Sequence, residues 1–391
     1  MKQAASVALA VVATAIFGCS TPNTSAANGT RSGGACASEP PVFAAEQPLA
    51  IDPGCLSPSF TVPWLAGQGG VAFRVSGDAG ECFQVDSMTD DRGHAYVVPS
   101  DYGPFCLTCE QRTSVAVGGG LFVYPSRGGP FAPSGSLHVQ LGLRDCATFT
   151  SSACDTGPAP PLSARTLALP PPRTSGIIAL RALLCPASVF YRLEGGDAEL
   201  ANLLDQVNAL LAPAGVVASY SSVNRLPAGA VCDATFSPSD PSALTALLQQ
   251  GRGLDEDAAT LSVVFAGCLL AEQPVLGSRT EPDGYTPRIP GGNGDADAVF
   301  VRGSLCDTAG RVSIAWSATA LGRVLAHEVG HYLGLYHTVE ADGTLDQLDD
   351  TSAAADNLMY FQPSIASATG LSATQGEIAR RHPLVHGCPP Q

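Results

Sequence analysis

His327-Glu328-Val329-Gly330-His331-Tyr332-Leu333-Gly334-Leu335-Tyr336-His337 is the most concentrated chemistry in this 391-residue chain. His327 and His331 are four apart, so on a helix their imidazoles share one face about a turn from each other and can hold one metal ion. Helicity is expected upstream, where Ser317 is an N-cap candidate and Leu321, Val324, Leu325, Val329 and Tyr332 fall on a buried stripe. Gly334, three residues past His331, can take the left-handed turn that stops a helix, and that turn swings His337 back as a third nitrogen ligand. Three neutral imidazoles leave one position of a tetrahedral zinc open, the catalytic rather than the structural arrangement. Zinc acidifies the water it holds, and Glu328, beside the first ligand, is the expected general base.

Working outward, the flanking chain reads as mixed α/β. Ile177–Leu183, Val216–Val223, Leu261–Ala266 and Ala298–Val301 are strand candidates. Leu200, Leu203, Leu204, Val207, Leu210 and Leu211 form a helical stripe that opens at Asp197 and ends at Pro213-Ala214-Gly215. Ser372-Ala373-Thr374-Gln375 is a capping box that opens a last helix running to about Arg381.

Two histidines four apart are a weak signal alone. The longer string fixes five positions in eleven, and its accidental occurrence is on the order of 10⁻⁵ per sequence. It resembles the metzincin zinc-endopeptidase signature HExxHxxGxxH at every fixed position. The resemblance implies a methionine turn beneath the zinc, and Met359, in Asn357-Leu358-Met359-Tyr360, is the matching residue. The His337-Thr338 pair, Asp349-Asp350-Thr351, and Gly284-Tyr285 followed by Pro287 and Pro290 look most like the pappalysin and cytophagalysin group. The implied fold over residues 174–391 is a twisted mixed sheet with a backing helix, the zinc helix, the Met-turn and a C-terminal helix. The implied activity is hydrolysis of peptide bonds in a protein or peptide substrate. Ala298–Val301 is the expected edge strand on which an extended peptide pairs by β-augmentation. Tyr360 is a candidate oxyanion stabiliser, with a packing role as the plainer reading. Asp342, Asp346, Asp349 and Asp350 are candidate calcium ligands, with a solvated acidic loop as the plainer reading.

Residues 46–156 alternate apolar and polar positions between Gly, Pro, Asp and Ser, most clearly over Leu137–Leu143, and predict an all-β, sandwich-like accessory domain. The fold class expected is thus multidomain, an N-terminal β sandwich followed by a C-terminal α/β zinc peptidase. Residues 157–173 are proline-rich and read as a spacer. Residues 1–18 fit an export signal, and Ile16-Phe17-Gly18-Cys19 resembles a bacterial lipobox that would lipidate Cys19. Residues 19–45 then read as a flexible tether. The expected location is the bacterial cell envelope or the outside of the cell, with membrane contact only through the lipid at Cys19.

Acidic residues outnumber Lys and Arg 35 to 20, for a formal charge of −15, and Lys2 is the single lysine, so nucleic acid is not expected as a partner. Thirteen cysteines suit an oxidising compartment, and lipidation of Cys19 accounts for the odd number. Cys106 and Cys109 have CxxC spacing but lack a second pair, which favours disulfides over metal there. Seven of the other cysteines precede the spacer and five follow it, so full pairing requires a bridge across it. The alternative of a different class is an inactive surface adhesion or binding module with a structural zinc. Glu328, which a structural site does not need, argues against it.

Overall fold

Phe60 and Phe73 show how the N-terminal half closes. Their rings meet edge to face at 5.6 Å although their strands lie far apart in the sheet order. The computed structural model describes residues 41–78, 80–99, 109–128, 131–146, 148, 150, 162–186, 188–192, 196–254, 259–273, 278–292, 297–303, 306, 318–340, 355–362 and 370–387. The expectations for the export signal, Cys19, the tether up to residue 40, Ser317 and Asp342 to Asp350 lie outside these residues.

Nine strands make the first sheet: β1 (Gln47–Leu49), β2 (Phe60–Val62), β3 (Gly70–Ser76), β4 (Cys82–Asp90), β5 (Ala95–Val97), β6 (Ala116–Val117), β7 (Gly119–Tyr124), β8 (Leu137–Arg144) and β9 (Leu162–Leu169). All of the pairings are antiparallel, in the order β1-β9-β3-β7-β6-β4-β8-β2, with β5 on β4. Leu49 from one end of the path and Phe60 from the other share one core cluster with Phe73, Phe83, Phe122 and Leu141. The expected sandwich is therefore one continuous sheet folded over its own apolar face. Strands β3, β4, β7, β8 and β9 are long enough to twist and curl in this way.

β9 corrects the reading of 157–173 as a spacer. Between its flanking prolines the segment Leu162–Leu169 buries Leu162, Ala164 and Leu169 and pairs with both β1 and β3. The prolines mark where the strand stops, and composition alone hid the alternation between them.

The second sheet has the order β11-β10-β13-β17-β16, from β10 (Gly176–Leu184), β11 (Val216–Arg225), β13 (Thr260–Phe265), β16 (Gly284–Tyr285) and β17 (Ala298–Val301). A small third sheet holds β12 (Ala234–Phe236), β14 (Leu269–Gln273) and β15 (Ser278–Thr280). The first four strands of the second sheet run parallel, and β16 is antiparallel to β17. Alternate residues face opposite cores. Leu180, Val263 and Val299 join one with α2 (Gly196–Leu211) and α4 (Ala318–Tyr332), while Leu183, Val264 and Phe300 join the other with α3 (Ser242–Gln249). Phe190 of the short α1 (Val189–Arg192) also packs in the first of these cores.

The α2 stripe is buried at Leu200, Leu203, Val207 and Leu211, and Gly215 ends that segment at φ 68° as the sequence predicts. Ser372 caps α5 (Ala373–Arg381) through the expected reciprocal bonds with Gln375. A second correction concerns the edge. β17 is covered by β16, so among the described residues β16 is the strand that ends the sheet on this side. A two-residue strand beginning with glycine carries too little alternation to be read from sequence.

Residues 38–391 form one compact unit. Cys82 pairs with Cys146 and Cys268 with Cys306, each within its own half, and Cys55 and Cys109 are also disulfide-bonded. Cys185 and Cys232 are buried in one core cluster, with the Cys185 thiol hydrogen-bonded to Cys232. The expected bridge across residues 157–173 depends on cysteines outside the described residues.

Candidate metal centre

α4 is held to the core by Leu321, Val324, Leu325, Val329 and Tyr332, all at most 3% exposed, which leaves His327, Glu328 and His331 on the side facing a cleft. Gly334, at φ 99°, turns the chain after the helix. The Nε2 atom of His337 then lies 3.2 Å from that of His327 and 3.1 Å from that of His331. Three nitrogens bound at about 2.0–2.1 Å to one tetrahedral ion stand roughly 3.3 Å apart, so these two distances suit a single metal ion held by the triad.

The tautomers agree with that assignment. His327 Nδ1–H donates to Leu358 O at 2.7 Å and His331 Nδ1–H to Leu335 O at 2.7 Å, while His337 Nδ1 pairs with the Glu340 carboxylate at 2.9 Å. With each Nδ1 occupied by an acceptor, each Nε2 turns its lone pair toward the common centre. Burial, with the neighbouring His337 adding to it, pushes His327 down to about 3, against its bond to Leu358. Burial likewise holds His331 well below its ordinary value. Neutral imidazoles are the form that ligates a metal.

Glu328 is buried beside the triad. Burial pushes its carboxyl up to about 8, opposed by a hydrogen bond from Thr286 and reinforced by the charge of Asp283. Thr286 Oγ1 lies 2.8 Å from Glu328 Oε2 and 3.0 Å from Glu328 O, in reach of both acceptors. Gly284 leaves the space the side chain needs, because a Cβ there would sit 2.6 Å from Glu328 Cγ and 2.8 Å from Oε1.

Met359 is fully buried, and a Cβ on Gly330 of the helix would come within 2.6 Å of its Sδ. Its turn is tied down by Met359 N to Asn357 Oδ1 (2.9 Å) and Thr338 N to Met359 O (2.9 Å). Two side-chain bonds join Asn357 to the cap residue Gln375 of α5. The turn therefore carries both the floor of the site and the carbonyl of Leu358 that orients His327.

The cleft has a volume of about 580 Å³. Of the sequence candidates it brings together His327, His331, His337 and Glu328. Tyr360 is not among the described residues that line it. Its backbone bridges to Val339 and its ring packs on Phe361 at 4.8 Å, so Phe361 and Gln362 line the cleft from that turn instead.

Sequence reasoning did not single out Thr286, Glu340 or the cleft residues Thr113, Ser114 and Val115; only Glu340, three residues after His337, lies close to the histidines in sequence. His382 is a core residue at 1% exposure, whereas His94 and His138 are surface partners of Glu110 and Asp91.

No protein-family model matches the chain. No curated protein matches it either. Among solved structures it is similar to metalloproteinase-II from Bacteroides fragilis, with 13% identity and a TM-score of 0.32 over 56% of this chain and 62% of that one. It is also similar to a chaperone-substrate complex, with 13% identity and a TM-score of 0.33 over 54% of this chain and 35% of the other. The chain thus spans under two thirds of the length of either.

Proposed function

We propose that this protein is a zinc-dependent endopeptidase of the metzincin type, exported and tethered to the cell envelope through a lipid at Cys19. The observation that carries the reading is the convergence of three imidazole Nε2 atoms beside a buried carboxylate in an open cleft. A structural site needs no such carboxylate and no such cleft.

His327, His331 and His337 would hold a zinc ion, which would supply Lewis acidity at the site. Glu328 accepts a proton on its carboxylate and returns it to the leaving amine. Thr286 holds that carboxylate in one rotamer, and Glu340 and the carbonyls of Leu335 and Leu358 hold the three rings. An extended peptide adds to the exposed edge of β16, next to Glu328, instead of to β17.

The purified chain should hold about one zinc ion and cleave a denatured protein, and a chelator should stop the cleavage. Glu328→Ala should keep the metal and lose nearly all turnover. Cleavage by Glu328→Ala at the wild-type rate would overturn the assignment of the base.

A further inference from the structure

The N-terminal sheet reaches into the metal cleft. Thr113, Ser114 and Val115, in the segment leading into β6, line the same cavity as His327, Glu328 and Tyr285. The contact is built rather than grazing. Ser114 Oγ donates to Ile289 O at 2.6 Å, Arg288 Nη2 to Val117 O at 2.6 Å, and Arg74 Nη2 to Gly292 O at 2.7 Å. The Arg112 guanidinium lies 5.0 Å from the centre of the Tyr336 ring, which belongs to the metal-binding string. Arg288 is itself buried and ion-paired with Asp297, so its bond to Val117 is shielded from water.

The stretch 286–292 therefore has two clients. At one end Thr286 holds Glu328, and at the other three hydrogen bonds fasten it to the N-terminal sheet. A peptide laid along β16 and continuing past Thr286 meets Thr113–Val115. Of those three residues, Thr113 is buried and the Ser114 hydroxyl is committed to Ile289, which leaves the partly buried Val115 as the aliphatic residue of this segment that lines the cleft.

We infer that the N-terminal β unit is a permanent wall of the substrate cleft, and that Val115 forms part of a subsite selecting an uncharged, apolar substrate side chain near the scissile bond. The inference rests on the peptidase reading above. It assigns the first half of the chain a part in specificity, distinct from that of a spacer or a segment removed on activation.

The test uses the full chain. Wild type, Val115→Trp and Val115→Asp are loaded with zinc, checked for one ion per chain, and given a peptide library varied one position at a time. Val115→Trp should disfavour large side chains at one substrate position by about tenfold or more, and Val115→Asp should shift that position toward cationic side chains, with the other positions unchanged. A uniform loss at all positions, or profiles identical to wild type, overturns the wall while leaving the peptidase reading intact. A wild-type protein that carries zinc and cleaves nothing overturns both. Intact-mass measurement of the active species is the independent check. Residues 41–170 should be present, and activity confined to a species lacking them would refute the inference.

Discussion

Gly284→Ala places one methyl group against the proposed base and against the buried Val324 side chain of α4. Gly284 does not have a positive φ, so the backbone admits alanine, but the new Cβ would stand 2.6 Å from Glu328 Cγ and 2.9 Å from Val324 Cγ1. Carbon atoms settle at about 3.5–4.0 Å, so Glu328 has to retreat by roughly 1 Å. That movement breaks or stretches the 2.8 Å contact with Thr286 and carries the carboxylate away from the triad. A misplacement of about 1 Å costs on the order of 100-fold in rate, or about 2.7 kcal/mol of transition-state stabilisation. Zinc content should be unchanged, because the partners orienting the three rings are Leu358, Leu335 and Glu340, none of which touches Gly284. The assay is kcat/KM on a quenched peptide, with zinc measured on the same sample and the fold checked by thermal melting. A Gly284→Ala protein that is folded, zinc-loaded and as fast as wild type would refute the placement of Glu328 as base.

Three further outcomes are expected. Glu340→Ala removes the acceptor at His337 Nδ1 and should weaken zinc by about 10–100-fold in competition with a chromogenic chelator, while an unchanged affinity would mean the carboxylate does not orient that ring. Gly330→Ala forces a Cβ onto Met359 Sδ and should cost about 1–3 kcal/mol in denaturant unfolding, with a melt identical to wild type counting against the tight seat of the turn. His382 is held neutral, since its Nε2–H donates to Gly291 O at 3.0 Å and its Nδ1 accepts from Leu384 N at 3.2 Å, and burial pushes it down to about 4 from an ordinary 6.5. The unfolded chain takes up that proton near pH 6.5 and the folded chain only near pH 4, so stability is full above 6.5 and falls by up to about 3 kcal/mol as the pH drops to 4. His382→Gln should flatten the dependence of the denaturation midpoint on pH over that window, and an unaltered slope would place the titrating group elsewhere.

The candidate metal ligands were legible because helical geometry turns sequence spacing into spatial spacing. His327 and His331 need only a helix, and His337 needs only that helix to end at Gly334, which local chain stiffness settles. The capping box at Ser372 and the stripe of α2 were legible on the same grounds, each being complete within a few residues. The strand at Leu162–Leu169 was not, because its prolines dominate the composition while its alternation acquires meaning only from β1 and β3, pairing partners more than a hundred residues away in β1 and nearly so in β3.

What tertiary structure alone decided is everything that holds the triad in place and bounds the cleft. Thr286 reaches Glu328 across 42 residues, Leu358 O reaches His327 across 31, and Ser114 reaches Ile289 across 175. No periodicity links such pairs, since side chains distant in sequence meet only when the two sheets pack. The amino-acid sequence by itself determined the chemistry available, three imidazoles and a carboxylate on a helix and its terminating turn. Packing determined which carboxylate is buried, which carbonyls orient the rings, and that the wall of the cleft comes from the other half of the chain.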